Sequence, residues 1–369
     1  MHVGGDGFRR DLTDGWKIAM TQTQIDASYQ LLACQYLRQQ LEKLRHELHG
    51  IRRNEDIEPV HQARVASRRM RAALRMFADC FDAKKVARWQ KRARKLTRGL
   101  GAARDKDVQI EFVTNFLTTL DRKDRKHRPG VERLLLRLRQ GREAVQPDVI
   151  RTLDRLEDGA LAEMCGEMAR VLFTLKTRDV SLCSPVLFER AGEHIRARLS
   201  DLLAWEYALD DSGAIDGHHQ LRIAAKKLRY TLEICEPAYD RRLSPFVKSV
   251  KQVQSLLGDI HDCDVWVEDV DAFIEQERLA TIAYFGHGRP FNRLRPGLLL
   301  LRDERQSHRE RIFVDLLAQW ERFREERLWE RLVETLEAGR EAAEPAGRVA
   351  GNGDRDSEEE PRSEDRGGQ

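Results

Sequence analysis

Long apolar runs are missing from this sequence. The longest leucine cluster is Leu298 to Leu301, far short of the roughly 18 residues that a membrane-spanning helix requires, so no membrane partner is expected. Aromatics make up only 7% of the chain and prolines number 10, against a charged fraction of 34%. That balance disfavours a β-sandwich, which draws on aromatic and β-branched residues, and suits long solvated helices. Prolines are absent from residues 1–58, 60–128 and 186–236, stretches that helices can fill. No alternating strand pattern survives a pass along the chain, and the expected fold class is all-α. Met1 to Met20 carries glycines, acids and bases but no apolar core, so a secretory leader is not expected. The six cysteines, at 34, 80, 165, 183, 235 and 263, show no C-x-x-C spacing. They read as reduced core thiols of a cytoplasmic protein, neither a disulfide framework nor a zinc knuckle.

The net charge of +3 conceals a marked asymmetry. Glu341 to Gln369 holds nine acids and four bases, a net of −5, which leaves +8 on the preceding 340 residues. Val60 to Arg104 holds fourteen Lys/Arg and two acids, Asp79 and Asp82, or +12 on its own. A concentration of that size points to a polyanion or an anionic surface. Residues 339–369, rich in Glu, Gly, Arg and Ser, read as a disordered acidic tail. Ser184-Pro185 and Ser244-Pro245 each offer a capping hydroxyl followed by proline at the first helical position.

Two motifs recur in the same order. His61 to Leu74 (HQARVASRRMRAAL) aligns with His219 to Leu232 (HQLRIAAKKLRYTL) at an offset of 158, with six of fourteen positions identical. Leu100 to Val108 (LGAARDKDV) aligns with Leu257 to Val265 (LGDIHDCDV) at an offset of 157. The expected architecture is therefore two copies of a helical unit related by a pseudo-two-fold. Residues 1–24 form an N-terminal extension, 25–180 copy one and 181–338 copy two.

On a helical wheel of about 100° per residue, His61, Arg64, Arg68, Arg71 and Arg75 share one side, with Arg69 at its flank. Ala63, Ala66, Met70, Leu74 and Phe77 lie opposite. Copy two places His219, Arg222, Lys226 and Arg229 on one stripe, beside Lys227, against Leu221, Ala224, Leu228, Leu232 and Cys235. The next helix carries Lys91, Arg94, Lys95 and Arg98; in copy two Lys248 and Lys251 remain, while Gln252 and Ser255 replace the other two bases. A solvated helix face ordinarily mixes signs, because opposite charges at i,i+4 help and like charges repel. From Val60 to Arg75 there is no acid at all, which favours a functional anion-binding stripe over a merely solvated face. Histidine can ligate metal, accept phosphate, act as acid or base, or donate to an anion; among arginines, donation to an anion suits His61 and His219 best.

His261-Asp262 invites a metal-phosphohydrolase reading, but its copy-one counterpart is Arg104-Asp105, so the histidine is not duplicated. The duplicated aspartates, Asp105/Asp262 and Asp107/Asp264, are expected either to cap a helix after the glycine break or to orient arginines. No metal and no cofactor is expected.

These residues resemble the CHAD domain family, whose signature His-x-x-Arg-[Val/Ile]-x-x-[Arg/Lys]-[Arg/Lys]-[Leu/Met]-Arg occurs here at His61 to Arg71 and again at His219 to Arg229. The resemblance covers roughly residues 25–338. It implies two antiparallel four-helix bundles around a basic central channel, and binding of inorganic polyphosphate; the expected location is cytoplasmic, at polyphosphate granules if the protein serves as an accessory factor that tethers them. Many relatives add a triphosphate-tunnel enzyme domain marked by Glu-x-Glu-x-Lys, which this sequence lacks. The expected function is non-enzymatic polyphosphate binding by the seventeen His, Arg and Lys side chains of the stripes named above. The alternative is a phosphate-ester or polyphosphate hydrolase or phosphotransfer protein using His61, His219 or a His261-Asp262 metal site. The stripes hold almost no aromatic platform for bases, Tyr230 being the nearest, and no DNA-reading motif is evident, so nucleic acid is not the expected partner. Arg64→Ala and Arg222→Ala are expected to weaken binding at nearly unchanged melting temperature, and a short oligophosphate to reach one row only.

Overall fold

A computed structural model describes residues 25–157 and 159–343. Among these residues there are eleven α-helices and no strand: α1 Ala27–Arg53, α2 Glu58–Met76, α3 Ala83–Gly99, α4 Gly101–Thr119, α5 Arg128–Glu157, α6 Ala160–Thr177, α7 Pro185–Leu203, α8 Ile215–Cys235, α9 Ser244–Phe285, α10 Arg295–Glu325 and α11 Leu328–Ala343. None is long and apolar enough to cross a membrane.

The helix starts follow from local chemistry. Asp26 accepts the Tyr29 N–H at 2.8 Å and Asp82 the Lys85 N–H at 2.9 Å, satisfying first-turn donors that have no partner within the helix. Ser184 caps α7 as expected, accepting from Leu187 N at 3.1 Å with Pro185 behind it. Ser244 does not cap: α9 begins one residue earlier in its geometry, with Leu243 at the cap position, and the Ser244 hydroxyl turns to the Glu236 carboxylate. The caps of α1 and α7 also meet, because Ser184 Oγ donates to Asp26 Oδ1 at 2.8 Å.

Leu37, Leu41, Leu44, Leu48 and Ile51 of α1 recur every three or four residues and are all buried. The stripe joins a main core shared by α1, α2, α3, α6, α7, α8 and α11 with one half each of α5, α9 and α10. A smaller core gathers the other halves: Val113 and Leu117 of α4, Val131 and Leu138 of α5, Trp266 and Val270 of α9, Leu298 and Leu301 of α10. Each fully buried leucine contributes about 1.5–3 kcal/mol. Both cores draw on helices from before and after residue 180, and that boundary falls in the connection between α6 and α7.

The Leu-Gly segment behaves differently in its two occurrences. At Leu100-Gly101 the chain breaks between α3 and α4, whereas Leu257-Gly258 lies inside the uninterrupted 42 residues of α9. The surroundings of the glycines differ too. A Cβ on Gly99 would come within 2.3 Å of Thr152, and one on Gly101 within 2.7 Å of the Arg64 guanidinium, while Gly258 faces open space.

Three further expectations change. Cys34, Cys80, Cys235 and Cys263 are buried thiols, but Cys165 is half-buried and Cys183 exposed. Helix α11 runs to Ala343, so residues 339–343 are helical; the rest of the expected tail, and residues 1–24, lie outside the described residues. The duplicated aspartates cap nothing: α4 starts at Gly101 with Leu100 at the cap position and no side-chain cap, and Asp262 and Asp264 sit in mid-helix.

Candidate functional site

Helices α2 and α8 place their apolar faces in the main core, as the wheel requires: Ala63, Ala66, Met70 and Leu74 are buried, and so are Leu221, Ala224, Leu228 and Leu232. The opposite faces therefore turn outward, and the two helices lie close enough for their cations to act on one another. Lys226 of α8 is the clearest witness. Burial, reinforced by Arg68, Arg222, Arg64 and Arg229, brings its ammonium down to about 8. Burial also lowers Arg222, which feels Asp262 as its attracting charge and Arg68 as its repelling one. The Arg222 Nε is buried without a hydrogen-bond partner. Burial lowers His61 as well, followed by Arg104, with Arg68 and Arg64 adding to it. Thus His61, Arg64 and Arg68 from α2 converge with Arg222 and Lys226 from α8, and Arg104 of α4 joins them.

Two carboxylates enter this cluster. Asp105 lies 3.5 Å from the Arg64 guanidinium. Asp262 is raised by burial, with Arg222 opposing that shift and Asp259 and Asp105 adding to it. The second aspartate of each pair does other work. Asp107 is buried and accepts from Arg142 Nε at 2.6 Å, joining α4 to α5. Asp264 pairs with Arg309, whose Nη1 also donates to the Ser212 carbonyl at 2.6 Å. Of the two expected roles, arginine orientation is the one observed.

The His219 and His261 rings lie against one another at a tilt of 51°, with centroids 4.7 Å apart. Burial, then Arg222 and His219, holds His261 near 4, a neutral imidazole at physiological pH. Among the described residues no group of three or more His, Cys, Asp or Glu side chains is arranged to hold a metal.

A second group of cations continues the α2 stripe. Arg71 is lowered by burial and then by Arg75, Arg94, Arg68 and Arg98. Arg75 is lowered by burial and then by Arg198 of α7 and by Arg94. The stripes alone did not point to Arg104, Arg198 or His261 as members. Arg104 and His261 were visible as neighbours of the duplicated aspartates; Arg198 stands in a mixed-charge helix that gives no sign of it.

Other expected residues take different places. Arg69 donates to Glu233 at 3.0 Å, and Arg229 forms an ion pair with the same carboxylate at 3.3 Å, although its Nε makes no hydrogen bond. Lys91, Lys95, Lys227, Lys248 and Lys251 are exposed and enter no ion pair among the described residues. Arg64 is partly structural, since its Nη1 donates to the Thr97 carbonyl at 3.2 Å and packs over Gly101. Its removal leaves that carbonyl unpartnered, so an unchanged melting temperature is no longer expected for Arg64→Ala. Arg64 and Arg68 of α2 act on Lys226 of α8, so the two rows are electrostatically coupled. A cavity of about 680 Å³ between α1 and α6, lined by Arg45, His49, Arg52 and Cys165 among others, contains none of these cations.

The family model of the CHAD domain matches residues 35–271. No curated protein matches the sequence. Among solved structures, the chain is similar to the CHAD domain from the plant Ricinus communis, at 23% identity and a TM-score of 0.54 over 79% of this chain and 93% of that one. It is also similar to PptA from Streptomyces chartreusis, at 16% identity and a TM-score of 0.52 over 79% of this chain and 99% of that one. At these identities the likeness is one of fold.

Proposed function

The chain belongs to the CHAD family, and we propose that it binds inorganic polyphosphate without turning it over. One observation carries the reading: cations from α2 and α8 are held together, partly desolvated, at a free-energy cost that an anion would relieve. A phosphate chain offers no base edges, so it is gripped through charge-assisted hydrogen bonds to guanidinium, ammonium and imidazolium donors. The unpartnered Arg222 Nε and the depressed Lys226 both suit a site completed by such a ligand. His61 and His219 would each donate a ring N–H to the anion. Cytoplasmic location at polyphosphate granules accompanies this reading.

The test measures binding of polyphosphate, single-stranded DNA and duplex DNA to the purified protein at two salt concentrations. Polyphosphate should win, and its affinity should fall steeply with salt as condensed counterions are released. Equal affinity for DNA, or no salt dependence, would count against the proposal.

A second reading, phosphotransfer or hydrolysis, draws on the His219–His261 pair beside Asp262. A metal placed there would face Arg222 and Lys226, whose charges oppose it. The binding reading is the stronger one.

A further inference from the structure

The two ends of the central cluster are unlike. At the 158-residue offset of the two signatures Arg75 of α2 aligns with Glu233 of α8; α1 and α7 begin at the same offset, Ala27 and Pro185, which aligns Tyr36 and Gln40 with His194 and Arg198. The neighbourhoods match these correspondences. Arg198 is the leading charge acting on Arg75, and Glu233 is the leading charge acting on Tyr36.

At the Arg75 end, α7 is fixed beside the C-terminus of α2 by specific contacts. Arg190 pairs with Asp79 just beyond α2 and stacks 4.1 Å above the Tyr29 ring. The Tyr29 hydroxyl donates to the Met76 carbonyl, the last of α2, at 3.1 Å, and lies 3.1 Å from His194 Nε2. One turn further along α7 this alignment sets Arg198 beside Arg75. The charges acting on Arg71 and Arg75 are all positive: Arg68, Arg94, Arg98 and Arg198. Of the acids at this edge, Asp79 is taken up by Arg190, and Asp201 lies 2.5 Å from Arg198.

The other end is closed. Gln40 and Tyr36 are buried there, at 2% and 8% exposure, where the first end has Arg198 and His194. Glu233 occupies both Arg69 and Arg229. Ser255 stands where α3 has Arg98. A polyanion leaving in this direction would meet a carboxylate and two guanidiniums already engaged.

We infer that the site is open to a long phosphate chain at one end only, and that Arg198 of α7 is a phosphate-binding residue on that exit path. Chain in excess of what the central cluster holds runs over Arg71, Arg75 and Arg94 to Arg198, and does not pass Glu233. The inference rests on the polyphosphate reading. It adds a direction to the site and a residue from a helix that carries neither signature.

The experiment is a chain-length series, from tripolyphosphate to long polyphosphate, by competition on wild type, Arg198→Gln, Asp201→Asn and Lys248→Ala/Lys251→Ala. Circular dichroism and melting curves confirm folding; all four positions are exposed or half-buried. Arg198→Gln should weaken long chains several-fold and leave tripolyphosphate unchanged. Asp201→Asn, which frees Arg198, should strengthen long chains only. The double lysine variant, on α9, should leave the ratio of long-chain to tripolyphosphate affinity as in wild type, whatever it costs both. Long-chain affinity unaffected by Arg198→Gln, or a long-chain preference lost in the lysine variant, overturns the one-ended path while the binding function stands. A wild type that binds neither ligand overturns both.

Discussion

Gly130 and Gly297 each yield the space of a side chain to the other's helix start: a Cβ on Gly130 would lie 2.0 Å from the Leu294 carbonyl oxygen, and one on Gly297 1.8 Å from that of His127. Each glycine is the third residue of an Arg-Pro-Gly triplet, and the triplets lie 167 residues apart. The contact brings the starts of α5 and α10 together, and its obstacles are backbone atoms, which cannot swing aside.

Alanine at either glycine should therefore destabilise the protein by about 1–3 kcal/mol or more through overpacking. Gly258→Ala is the matched control, since open space surrounds it inside α9; it should stabilise by roughly 0.5–1 kcal/mol through helix propensity. Urea denaturation measures both, and a Gly130→Ala protein as stable as wild type would refute the contact.

Arg68 acts on His61, Arg64, Arg71, Arg222 and Lys226. It makes no ion pair of its own among the described residues. Arg68→Ala should lower polyphosphate affinity about tenfold, the loss of a charge-assisted contact, and leave stability equal or higher because like charges separate. Calorimetric binding together with a melting curve tests both halves of this, and a destabilised variant would show that Arg68 serves the fold.

Polyphosphate affinity should decline as pH rises through 8. Lys226 in the free protein titrates near 8, with Arg64 and Arg68 facing it from α2 and Arg222 and Arg229 from its own helix. A bound phosphate favours the ammonium, so above that pH binding must take up a proton, and affinity falls by up to about tenfold per pH unit. Lys226→Arg keeps its charge throughout and should flatten the profile. The same slope in wild type and variant would assign the pH dependence elsewhere.

Incubation with polyphosphate and magnesium or manganese should release no orthophosphate. Metal-stimulated release that disappears in Asp262→Ala, with binding intact, would instead favour the phosphotransfer reading.

The all-α fold was legible because amphipathic periodicity is a local property: the apolar faces of α2, α3 and α8 are the buried ones. The site was legible as far as unopposed charge could mark it. His61, Arg64, Arg68, Arg222 and Lys226 were found because no acid interrupts their stripes. Arg69 looked identical to its neighbours because Glu233 lies far from it in sequence, whereas the Arg229–Glu233 pair, four residues apart on α8, was open to view in the sequence. Arg198 was hidden for the converse reason: Asp201 and Glu193 give α7 an ordinary mixed surface, and only packing sets it beside Arg75. Ser244 shows the limit of capping signals, because a hydroxyl before proline also had a carboxylate within reach at Glu236.

Helix α9 extends over about 63 Å at the α-helical rise, burying Val250 to Cys263 in the main core and Trp266 and Val270 in the smaller one. α5 and α10 bridge the same two cores, the first from before residue 180 and the second from after it. The interior consequently has no plane of section. A fragment ending in the α6–α7 connection would strip α5 of Leu298 and Leu301, and α2 of its contacts with α8. Two sequences that look separable on paper should therefore fold as one unit, and heat should melt the chain in a single step rather than half by half.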